Sequence, residues 1–134
     1  MSTRAKGLLS FLWLGLIIYA ETPLKLISLE YPRLALFAKI EGKVTLLYKL
    51  SADGSPVVEK VAGGNELLRK AAQQNFVNWR FPIETRFVKD GGFNTIEYKF
   101  EIIGDCKFSY CPSEFQFTTP NNVLIVGKHP MLEP

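Results

Sequence analysis

Cys106 and Cys111 are the residues best equipped for chemistry in this sequence, being its only two thiols, with four residues between them. Such a pair can close a disulfide, hold a metal or cycle in redox exchange. The metal reading lacks donors, because two thiolates and the distant His129 give at most three ligands with no recognisable spacing. The redox reading lacks a Cys-x-x-Cys motif and a following helix that would lower a thiol pKa. A small disulfide-closed loop leads, on condition that the chain reaches an oxidising compartment.

Acid–base and phosphate chemistry find little support. His129 is the only histidine; it is expected in a surface loop beside Pro130, with no nucleophile motif near it. Glu97 and Glu101 fall on the wet side of a strand, where nothing would raise a carboxyl pKa for proton transfer. Gly63-Gly64 precedes a helix, yet no Lys-Ser/Thr or longer glycine pattern follows, so a helix-entry turn explains it better than a phosphate cradle. No catalytic residue, metal or cofactor is expected, and the chain is read as a non-enzyme.

The chain's 134 residues are 47% hydrophobic and include ten Phe, which fits one domain with a core of its own. The net charge of +3 is not a nucleic-acid footprint. Arg4 and Lys6 belong to the N-terminus, and without them fourteen basic residues face thirteen acidic ones. Those two cations precede the uncharged apolar run Leu8 to Ala20, which ends in Ile18-Tyr19-Ala20 before Glu21-Thr22-Pro23, a signal-peptide pattern. As a helix the run spans roughly 20 Å against roughly 30 Å of hydrocarbon, so it is short for a membrane span. Cleavage after Ala20 is the expectation. Ile18 is larger than the cleavage pattern prefers, which keeps an uncleaved membrane anchor as the alternative. In both cases the body lies outside the cytoplasm, and only the anchor would bring contact with a membrane.

The elements follow from periodicity. Tyr31 to Ile40, with Pro32 in its first turn and Gly42 as its stop, predicts a short helix. Val44, Leu46, Tyr48 and Leu50 alternate with Thr45, Leu47, Lys49 and Ser51, and Asp53-Gly54 turns this strand into a return strand over Val57 to Ala62. Asn65 then caps a second helix carrying Leu68, Ala72, Phe76 and Trp79 at helical spacing, closed by Pro82. Phe87-Val88 and a turn over Lys89-Asp90-Gly91-Gly92 lead into the cleanest strand, where Ile96, Tyr98, Phe100 and Ile102 face one way and Glu97, Lys99 and Glu101 the other. Beyond Gly104 come the cysteine loop and an added hairpin, Phe115 to Phe117 and Val123 to Val126, around Pro120-Asn121-Asn122.

Tyr31-Pro32, Glu41-Gly42-Lys43-Val44, Tyr48, Asp53-Gly54, Ala71-Ala72 and Trp79-Arg80-Phe81 follow in an order and spacing that resemble a TonB C-terminal domain, over roughly Leu29 to Ile103. The resemblance implies an α+β fold, a small antiparallel sheet with two helices packed on one face, here with the C-terminal hairpin added. The parts expected are a signal segment 1–20, a short linker 21–30, a TonB C-terminal-like domain 31–103, and the disulfide loop and extension 104–134.

The resemblance also implies a function: a periplasmic module that binds an envelope protein, such as an outer-membrane receptor peptide, by adding a strand to an open sheet edge. The implied edge is Asn94 to Ile102, with Asn94, Ile96, Tyr98 and Phe100 joined by Tyr31, Pro32 and Trp79 as partner-binding residues. The family's activity-linked aromatic positions carry over to Tyr48, Trp79, Phe81 and Phe100, although the strand phases of Tyr48 and Phe100 make core packing the plainer reading. Trp79, at a helix end, is expected partly exposed. The sequence departs from a full TonB in its linker, since Glu21 to Glu30 reaches at most about 35 Å where a transducer has a long Pro-rich spacer. A short anchored energy transducer and a secreted scaffold are therefore alternatives. The tail matters too, because pairing with Asn94 to Ile102 would fill the edge that a receptor peptide needs.

Overall fold

The structure, a computed structural model, describes residues 23–82 and 92–131. The apolar run at the N-terminus, Phe87-Val88 and most of the turn before Gly92 lie outside the described residues.

Helix α1, Arg33–Phe37, is a little over one turn long because Pro32 stands at its start and Lys39 enters the left-handed region (φ 56°) just past its end. Strand β1, Gly42–Leu50, buries every second residue, as alternation requires. Its Ser51–Ser55 turn is closed by the Asp53 carboxylate, which accepts from Ser51 Oγ, Ser55 N and Ser55 Oγ. Gly54 sits in that turn with φ +86°, its carbonyl accepting from Phe81 N, and an added Cβ would stand 2.1 Å from the Phe81 carbonyl oxygen. The turn is therefore docked on the segment after the second helix rather than loose in solvent.

Strand β2, Pro56–Ala62, returns antiparallel to β1, and helix α2, Glu66–Phe76, starts where the Asn65 side chain accepts from Leu67 N. Leu68, Ala72 and Phe76 are its buried stripe. Trp79 lies beyond the last helical turn, yet it is fully buried, which corrects the expectation of partial exposure. The reason is a polar tether: its indole Nε1 donates to Asn75 Oδ1 at 3.1 Å, drawing the ring under the sheet.

Strand β3, Phe93–Cys106, pairs antiparallel with β1. After the cysteine loop, β4, Glu114–Thr118, and β5, Asn122–Pro130, form the expected hairpin. The sheet order is β2-β1-β3-β5-β4, with β3 and β5 parallel. The fold class is thus α+β as expected, with one parallel pair inside an otherwise antiparallel sheet. His129, expected in a loop, is a β5 residue, half-buried with its Nδ1 3.9 Å from the Asp105 carboxylate, because β5 continues past Val126 alongside β3.

One core joins these parts. Val44, Leu46, Tyr48, Ile96, Tyr98, Phe100, Val123 and Ile125 project from one sheet face onto Ala35, Leu36, Leu68, Ala72 and Phe76 of the helices. Phe76 meets Tyr48, Trp79, Phe81 and Tyr98 at centroid distances of 4.7 to 6.5 Å, all edge-on. Gly127 lets α1 settle on β5, since an added Cβ would lie 2.7 Å from Leu36 Cδ2 and 3.0 Å from Tyr31 Cδ2.

Candidate functional site

The expected binding edge, Asn94 to Ile102, is not an edge. Gly42 to Tyr48 pair with Asn94 to Phe100 on one side, and Asn122 to Gly127 run beside Glu97 to Ile102 on the other. The hairpin occupies the place that an incoming strand would take. It is no loose cover, because Val123 and Ile125 are as deeply buried as the strand they flank.

The residues assigned to partner contact divide accordingly. Tyr31, Trp79, Ile96, Tyr98 and Phe100 are each no more than 3% exposed, and Tyr48 and Phe81 join them in the core. Asn94 and Pro32 are half-buried. Burial pushes the Tyr98 hydroxyl above its ordinary pKa, and burial with the nearby Glu41 carboxylate pushes Tyr31 up to about 12. Both phenols stay neutral donors: Tyr98 Oη to Asn75 Oδ1 at 2.7 Å, Tyr31 Oη to the Ile40 carbonyl at 2.6 Å. Their part is to lock the fold.

Two strands end the sheet, and they differ in how they meet solvent. The outer strand β2 opens on Pro56, bulges at Glu59, where the pairing with β1 skips a residue, and carries exposed Lys60. Proline, a bulge and charge are the features that blunt an edge. Strand β4 has none of the first two: its five residues pair with β5 in unbroken register. Phe115 and Phe117 lean on the core, Trp79 meeting Phe117 edge-on at 5.4 Å, while Glu114, Gln116 and Thr118 are exposed. Among the described residues, no strand pairs with its outer side.

Beside the start of β4 lies the cysteine loop. Cys106 and Cys111 are joined, with Cα atoms 5.8 Å apart. The loop turns Phe108 and Tyr110 outward, 75% and 59% exposed, over a groove of about 270 Å³ that Tyr31, Leu36, Ser113, Lys128 and Met131 also line. Tyr110 Oη and Ser113 N donate to the two oxygens of Glu30, at 2.8 and 3.1 Å, fastening the loop to the segment before α1. Burial acts to raise the Glu30 pKa, but these hydrogen bonds outweigh it and leave the carboxyl below its usual range. Sequence reasoning missed the groove, since Glu30, Tyr110 and Ser113 meet only through the fold; the one available signal was the pair of aromatics, Phe108 and Tyr110, between the two cysteines. Among the described residues, no cluster of three or more metal-ligating side chains occurs, and no helix is long and apolar enough to cross a membrane.

A family model described as Gram-negative bacterial TonB protein C-terminal matches residues 28–102, more than half of the chain. No curated protein and no solved structure matches it. The match stops within β3, so the disulfide loop, β4 and β5 all lie beyond the shared domain.

Proposed function

The chain belongs to the family of Gram-negative bacterial TonB protein C-terminal domains, and from that premise we propose that it is an exported periplasmic module that binds an envelope protein by strand addition at β4. The observation that supports this most is the added hairpin. It extends the sheet by two strands beyond the family match and leaves an edge in unbroken register at Glu114–Thr118, while the opposite edge is blunted. Main-chain hydrogen bonds along such an edge provide affinity, and alternate side chains provide selection. The partner class is an outer-membrane receptor or another envelope protein with an extended segment. The chemistry is binding; no catalytic step is assigned.

Export rests on the cationic start, the apolar run to Ala20 and the disulfide, a bond that persists in oxidising compartments. Protein recovered from the periplasm is expected to begin at Glu21, and a retained Met1 on the membrane fraction would contradict cleavage. Strand addition is tested by photocrosslinking in living cells from a benzophenone residue at Gln116 or Thr118, with Lys60 on β2 as control. Adducts with an outer-membrane protein are expected from the first two positions. Adducts from Lys60 with none from Gln116 and Thr118 would contradict it.

A further inference from the structure

We infer that the groove under the cysteine loop is a selectivity pocket for the partner peptide, accepting an apolar side chain followed by a carboxylate. This rests on strand addition at β4 and names what the strand must carry. The groove adjoins that edge directly, because Ser113 lines it and Glu114 opens β4. A peptide added antiparallel, the more stable pairing per residue, would cover the five residues of β4 in about 17 Å and enter the groove with its C-terminal residues.

The walls suit an apolar side chain. Phe108, Tyr110 and Met131 are exposed at the rim, and the buried Leu36 and Tyr31 reach the groove from within. Aromatic and methionine surfaces left in solvent at a concave site gain from being covered. The disulfide and the Tyr110–Glu30 bond fasten the loop at both sides, so little ordering remains to be done on binding.

The charge balance selects a carboxylate. Arg33 and Lys128 line the groove, and no carboxylate of the described residues lies within ion-pair distance of either. Arg33 lies over the Phe37 ring at 5.2 Å, a contact that leaves its N–H donors available. Among the described residues, Glu30 is the one acidic residue in the lining, and both its oxygens already accept from Tyr110 and Ser113. Two cations thus face one satisfied anion.

The test uses the full chain and three fluorescein-labelled, C-terminally amidated eight-residue peptides, read by fluorescence anisotropy. Each begins with five alternating threonines and valines; the tails are glycine-phenylalanine-aspartate, glycine-phenylalanine-lysine and glycine-serine-aspartate. The first is expected to bind roughly tenfold tighter than either of the others, the scale of one lost charge or apolar contact. The R33E/K128E double variant, both positions being at the surface, is expected to favour the lysine tail. Equal binding of all three peptides overturns the pocket and leaves strand addition standing. Binding by none overturns both. Arg33- and Lys128-dependent binding to phosphatidylglycerol vesicles, without discrimination among the peptides, would give the groove to a lipid surface and overturn the proposal.

Discussion

Asn75 shows how much a single polar side chain fixes in this fold. It is buried, and all its polar atoms are used: Nδ2 donates to the Ile27 and Ser28 carbonyls, and Oδ1 accepts from Trp79 Nε1 and Tyr98 Oη. The entering chain, the end of α2 and the middle of β3 are thereby tied at one point. In Asn75→Ala the indole and the phenol lose their common acceptor inside the core, which is expected to cost roughly 3 kcal/mol in urea unfolding. A loss near zero would mean that water takes over the site. Glu30 acts at the surface by a titratable route. Its carboxyl sits below the ordinary value of 4.5 in the folded protein, so its contribution is full above 4.5 and disappears as pH falls through the lower, folded value. The NMR shift of the Ser113 amide proton, which donates to Glu30, should follow that carboxyl with a midpoint under 4.5, and the midpoint should move toward 4.5 in Tyr110→Phe. Tyr48 and Phe100 were legible as core from strand phase, but the full burial of Trp79 and the role of Asn75 were not. An asparagine between apolar helix positions reads as solvent-facing, and only the third dimension brings Trp79 and Tyr98 to it.

At the level of elements, local signals carried far and pairing did not. Asp53-Gly54 marked the first hairpin, Asn65 the start of α2, and the alternation from Ile96 to Ile102 the buried face of β3, because caps, turns and alternation act over a few residues. The neighbour of a strand is a non-local fact. Nothing in Val123 to Val126 states that it lies parallel to β3, and the open edge expected at Asn94 to Ile102 failed for that reason. Gly127 is where β5 and α1 become one structure, with the Leu36 and Tyr31 side chains resting on its backbone. Gly127→Val would push α1 off the sheet, and overpacking of this kind costs about 2 kcal/mol. The expected outcome is a lower urea midpoint together with a changed Tyr31 ring environment; unchanged stability would show that α1 is not seated through this residue.

In the whole molecule, the C-terminal extension decides which strand ends the sheet. The family domain ends within β3, and the two strands beyond it close that strand from its second side. They also carry the sheet outward to a new edge, next to a stapled loop whose aromatic residues face solvent. On the proposed reading, the chain keeps the shared core and offers a partner the edge at β4, since β3 is paired on both sides. Amide hydrogen exchange of the chain, alone and bound to the outer-membrane protein captured from Gln116, tests this most directly. β3 and β5 are expected to exchange slowly in both states, and Glu114–Thr118 to slow on binding. Slowing at 56–62 instead, or faster exchange in β5 as a partner strand displaced it from β3, would contradict it.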